Sequence, residues 1–212
     1  MEKLLTNRRL THSQFNSVIG AVLMEGFLLA ALIAKTCTAF FAKWNWLVLL
    51  IAYLVVSLIG TAIARKSDKP IMSLIGFNMV VAPAGAVLSV ILPAFAASAI
   101  MHALIVTVLV ALAMIIASQF EPKLFLKMGR ALSISLLAVI VIELISVIAG
   151  FATWSWMNFI VAAIFALFIG YDMARAQYSE MTTDGAIDAC VDLFIDGFNL
   201  FLRLLSIFGV DD

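Results

Sequence analysis

The 212-residue chain is 65% hydrophobic and 12% charged, with 13 basic and 13 acidic side chains. A soluble domain needs more polar surface than this, and a transmembrane barrel would show short alternating segments instead of continuous apolar runs. Without a basic tract interleaved with aromatics, nucleic acid is not an expected partner. The composition therefore points to an all-α polytopic membrane protein in a single domain spanning residues 1–212, with the lipid bilayer as its solvent.

In chain order, the basic stretch before the first apolar run resembles the start of a signal peptide. That run is too long for one and has no A-x-A cleavage site before its end, so a retained first helix is expected. Seven spans follow, over Phe15–Phe41, Trp46–Ala64, Ile71–Pro93, Ala96–Ser118, Ala131–Gly150, Trp156–Ala174 and Ile187–Gly209. Asn78, Pro83 and Gly85 point to a packing kink in the third. No internal repeat is visible, which argues against an inverted-repeat transporter.

Lys and Arg set the expected orientation. Lys3, Arg8 and Arg9 precede span one; Arg65, Lys66 and Lys69 lie between two and three; Lys123, Lys127 and Arg130 lie between four and five; Arg175 ends six. The other side has only Lys43 and a snorkelling Lys35, and the tail Asp211–Asp212 is acidic. This places the N-terminus in the cytoplasm and the C-terminus outside, with Trp44, Trp46, Trp154 and Trp156 as an outer aromatic belt. The short loops point to a bacterial plasma membrane.

The seventh span organises the rest. It carries Asp188, Asp192, Asp196, Asn199, Arg203 and Ser206, which at ~100° per residue fall within a sector of about 80°. A charge at the bilayer centre costs at least ~2.5 kcal/mol, so this stripe is expected to face other helices or water, at the centre of the fold. Asp188 is expected to cap the helix start. A short connection makes spans six and seven antiparallel neighbours, so Asp172 near the end of six is expected to meet Asp196. Two carboxyls in one dry site cannot both ionise cheaply and are expected to share a proton. Doubly charged, they are the candidate Ca²⁺ ligands, but four oxygens fall short of the six to eight that Ca²⁺ takes. Arg65, at the same cytoplasmic level, is the candidate latch on Asp172. Tyr171, Asp192, Glu25 and Glu143 are candidate cavity-lining residues, with Arg203 as an alternative partner for the two glutamates. Cys37 and Cys190 lie far apart without a C-x-x-C, and His12 and His102 have no ligand-spaced partner, so neither a redox motif nor a zinc site is expected.

The motifs YDMARAQ (Tyr171–Gln177) and VDLFIDGFNLFLRLL (Val191–Leu205) resemble those of the transmembrane Bax inhibitor motif family, most closely its small bacterial members. Span number, length and orientation extend the resemblance over the whole chain. It implies a seven-helix protein mediating a pH-sensitive calcium leak, with a diaspartyl pair at Asp172 and Asp196 and an arginine latch at Arg65. Ca²⁺ would be the permeant or transiently bound ion and protons the gating ligand, with no tightly bound cofactor. The chain departs from the family pattern in two ways. Tyr53 and Ser57 stand in helix two where an acid is usual, and Gly197 follows the second aspartate in place of a bulky residue. A proton-coupled cation exchanger is the alternative closest in kind, and a non-conducting membrane interaction protein the other. An intramembrane aspartyl protease would need G-x-G-D where the chain has Phe194-Ile195-Asp196, so enzymatic activity is not expected.

Overall fold

The computed structural model describes residues 7–150 and 155–209. Lys3, Trp154 and the Asp211–Asp212 tail, used above for orientation, lie outside the described residues. Among the described residues, seven long helices run in chain order: α1 His12–Thr36, α2 Trp46–Lys66, α3 Pro70–Ile91, α4 Ala97–Phe120, α5 Pro122–Ala149, α6 Ser155–Tyr178 and α7 Thr183–Phe208. A helical turn, Thr38–Phe41, follows α1, and a 3-10 turn, Leu92–Ala94, extends α3. Among the described residues, extended backbone pairs at one place, an antiparallel bridge between Arg9 and Thr182.

Six of these helices, α1 to α6, are long and apolar enough to cross a membrane. The expected seventh span is present as the 26-residue α7, but Asp184, Asp188, Asp192, Asp196 and Arg203 leave it too charged to qualify on composition. Seven spans are therefore not established by length and hydropathy.

The helix ends follow local chemistry. Thr11 and Gln14 form a reciprocal capping box, so α1 starts at His12, three residues ahead of the expected Phe15. Asn45 caps α2 by accepting from the Leu47 N–H at 2.8 Å, and Pro70 occupies the first turn of α3. α5 starts at Pro122, nine residues before the expected Ala131, so Lys123, Lys127 and Arg130 lie on a helix and not in a loop. Charged residues at a span end lower hydropathy without opposing helix formation. α5 stops where Gly150 turns to φ 70°. Asp188 does not cap α7: it lies in the second turn, and Thr182 takes that role, its hydroxyl accepting from the Gly185 N–H at 3.0 Å.

The chain forms two compact units, Met1–Phe95 with Ala176–Ile195, and Ala96–Arg175 with Asp196–Asp212. In the first, α2 and α3 cross with backbone nearly touching. A Cβ placed on Gly60 would come within 2.5 Å of the Gly76 carbonyl oxygen, and one on Gly76 equally close to that of Gly60. Small residues permit this approach, as in membrane helix pairs generally. Phe77, fully buried, meets Phe194 edge-on at 5.8 Å between ring centres, and Phe27 lies 5.0 Å from the same ring. These contacts fix the rotation of the first half of α7. In the second unit, α5 packs closely on α6, with Gly129 against the Tyr171 ring and Gly170 against Phe125.

No residue of α7 from Thr183 to Phe208 is exposed. By contrast α2, α4 and α5 expose long apolar series such as Leu47, Leu54, Leu58, Leu109, Ile116, Leu137 and Leu144. The most charged stretch of α7 is thus well covered, in contrast to these apolar helices.

Candidate functional site

The first half of α7 places Asp184, Asp188 and Asp192 at steps of four residues, one above another on one side of the helix. The close α2–α3 crossing brings two side chains to this side. Arg65, in the last turn of α2, donates from Nη2 to Asp192 Oδ1 at 2.5 Å. Ser73 of α3, fully buried, donates to Asp184 Oδ1 at 2.7 Å and lies 3.2 Å from the Ala64 carbonyl. The guanidinium is 54% exposed while the carboxylate is 16% exposed, so the pair sits at the edge of the packed region.

A second set of bonds surrounds the start of α7. Asp184 N–H donates to Asn7 Oδ1 at 3.3 Å, and Asn7 Nδ2 donates to the Asp68 carbonyl at 3.1 Å. Burial lifts the Asp184 carboxyl above its ordinary value; the Ser73 bond works against this and the Asp68 charge adds to it.

The second unit holds both members of the expected pair. Asp172 and Asp196 are buried, at 8% and 6% exposure. Asp172 Oδ1 accepts from Arg175 Nη2 at 3.1 Å, one helical turn along α6. The Arg175 guanidinium also lies over the Tyr171 ring, 5.6 Å from its centre, and Tyr171 rests against Gly129 of α5. Tyr171 thus carries a cation on its face and packs between helices.

Further along α7, Arg203 binds Glu143 with both guanidinium ends, at 2.7 and 2.9 Å, and Asn158 Oδ1 at 3.1 Å. Of the partners open to Glu143, the structure has Arg203, so one network ties α5, α6 and α7. Glu25 is exposed on α1 beside Asn78, its hydrogen-bonding neighbour on α3.

Glu143 has a partner the sequence offered, Arg203, while Arg65 and Asp172 each make an ion pair the sequence did not name. Arg65 holds Asp192, and Arg175 holds Asp172. The spacing Asp172–Arg175 was a legible signal for the second pair; Ser73 and Asn158 carried none beyond being polar in apolar surroundings, and Asn7 stood in a polar stretch with nothing to single it out. Among the described residues, no three His, Cys, Asp or Glu side chains cluster to hold a metal ion.

Residues 12–212 match the family described as Inhibitor of apoptosis-promoting Bax1. Two uncharacterised proteins, from two strains of Helicobacter pylori, are each 34% identical to the chain over 87 residues. That stretch is 39% of this chain and 36% of each relative, so the match spans about a third of the curated relatives' length.

Proposed function

We propose a function from one established premise: the chain belongs to the Bax inhibitor family of membrane proteins, described as Inhibitor of apoptosis-promoting Bax1. On this reading it is a pH-sensitive cation leak channel, with Ca²⁺ as the permeant ion. It lies in a bacterial plasma membrane with its N-terminus cytoplasmic, α7 crosses as the seventh span, and no enzymatic activity is involved.

The observation that carries the reading is the Arg65–Asp192 contact on a helix with no exposed residue. Arg65 ends one span, and Asp192 lies one turn before Asp196 on α7. In the closed state the guanidinium neutralises the acidic stripe at its cytoplasmic end and blocks a cation from it. Asp172 and Asp196 share a proton deeper in the membrane, and Arg175 competes with a cation for Asp172. Changing the proton occupancy of the pair changes the field on α7; Arg65 then leaves Asp192 and the stripe becomes available to Ca²⁺. The latch therefore acts on α7 through Asp192, one turn from the sensor. An ion on two carboxylates keeps water in its shell, which favours passage over retention.

The test is Ca²⁺ influx into liposomes holding the purified protein, scanned across pH, for the native chain, Asp172→Asn and Asp196→Asn. A pH-dependent flux altered by either substitution is expected. Flux that is absent at every pH, or indifferent to both changes, sinks the proposal. Flux that follows the proton gradient, not the pH at one face, would make the protein an exchanger.

A further inference from the structure

The first amides of an α-helix have no partner within it, and their satisfaction can be traced one by one. At the start of α7, Thr182 N–H donates to the Glu180 carbonyl at 2.8 Å, and Gly185 N–H to the Thr182 hydroxyl at 3.0 Å. The two amides between them are served from outside the connection. Thr183 N–H donates to the Arg8 carbonyl at 3.1 Å, and Asp184 N–H to Asn7 Oδ1 at 3.3 Å. Leu10 N–H returns a bond to the Met181 carbonyl at 2.7 Å, closing the antiparallel bridge of Arg9 with Thr182.

Asn7 does more than cap. Its Nδ2 donates to the Asp68 carbonyl in the α2–α3 connection, three residues after Arg65 and five before Ser73. One amide side chain therefore spans from the start of α7 to the turn that positions Arg65 on Asp192. Asn7, Arg8 and Arg9 are exposed. Two further contacts at the start of α7 do not involve the segment: Thr182 caps the helix and Ser73 holds Asp184.

We infer that Asn7–Leu10 is a detachable strap, and Asn7 a positioning residue, holding the start of α7 against the α2–α3 turn and so favouring the Arg65–Asp192 contact. Its regulatory role rests on the leak reading above. Its hold on α7 does not. Release loosens the first turn of α7, weakens the latch and raises flux. Attachment does the reverse.

The experiment pairs a release with a lock. Asn7→Ala removes both side-chain bonds, and amide hydrogen exchange at Thr183 and Asp184 is expected to rise about 3-fold to 10-fold. Arg9→Cys with Thr182→Cys, in a Cys37→Ser background, gives the lock. The pair faces across a narrow antiparallel position, where Cα atoms lie ~4.5 Å apart, within disulfide reach. Oxidation of this double variant is expected to lower Ca²⁺ flux in liposomes and reduction to restore it, while Asn7→Ala raises flux and shifts its pH profile. Unchanged exchange in Asn7→Ala overturns the strap whatever the flux does. Raised exchange with an unaltered pH profile, where Asp196→Asn alters it, overturns the regulatory role alone. If no protein conducts, the leak reading fails and the exchange rates still decide whether the strap holds α7.

Discussion

Arg65 donates to Asp192 at 2.5 Å, joining the end of α2 to the third turn of α7, and it is Arg175 that sits 3.1 Å from Asp172. With the guanidinium half exposed, a pair of this kind is worth at most ~1 kcal/mol, a few-fold bias on a two-state equilibrium. On the leak-channel reading, that suits a latch, which must open under a small change in proton occupancy.

A double-mutant cycle tests who the partner is. Arg65→Ala and Asp192→Ala are each expected to shift the pH profile of flux, and the double variant is expected to match either single one. Arg65→Ala with Asp172→Ala is expected to be additive. Coupling of Arg65 to Asp172 and none to Asp192 would return the latch to the position first expected from the resemblance.

The first six spans were legible because a continuous apolar run of about twenty residues matches the thickness of the bilayer core and suits little else. The acidic stripe was legible too, since four-residue spacing of charges on an apolar helix forces one face inward. Pairing was not. Arg65, Lys66 and Arg175 all read as anchors at the cytoplasmic boundary, and only packing decides which one faces α7. That packing depends on Gly60 and Gly76, which look like ordinary small residues in the sequence. The start of α5 was missed because Lys123 and Lys127 depress hydropathy while keeping good helix propensity.

The Gly60–Gly76 crossing supplies a stability test. A methyl at Gly76 would meet the Gly60 carbonyl oxygen at 2.5 Å and the Ala64 amide nitrogen at 2.7 Å, both backbone atoms that cannot swing aside. Gly76→Ala is expected to separate α2 from α3 at a cost of about 1–3 kcal/mol, lowering the melting temperature in detergent and loosening Ser73 from Asp184. Gly20→Ala, where nothing lies within 4 Å, is the control and is expected to leave the melting temperature unchanged.

Arg203 and Glu143 predict a different response. Breaking a desolvated bidentate pair from one side strands a charge, at a cost of about 3–5 kcal/mol when burial is complete; with the side chains 28% and 24% exposed, about 1–3 kcal/mol is expected here. Glu143→Gln should therefore lower thermal stability, and Glu143→Gln with Arg203→Met should recover most of the loss. A double variant as unstable as the single one would show that the pair is not the source of the effect.

Asp184 gives the pH dependence of the strap. It lies ahead of the apolar part of α7, facing Ser73 and Asp68, with Asp188 one turn on, and burial holds its carboxyl above the ordinary value of 3.8. A carboxyl raised in the folded state favours folding while protonated, so its contribution is complete below the unfolded value and lost as pH rises through the folded one. Protection of the Leu10, Thr183 and Asp184 amides, corrected for intrinsic exchange rates, is therefore expected to be greatest in acid and to decline as pH climbs past the ordinary carboxylate range. Asp184→Asn keeps an acceptor for the Ser73 hydroxyl and removes the titration, so its protection is expected to be flat over the same interval. A decline that persists in Asp184→Asn would assign the effect to another carboxyl, with Asp188 the next to substitute.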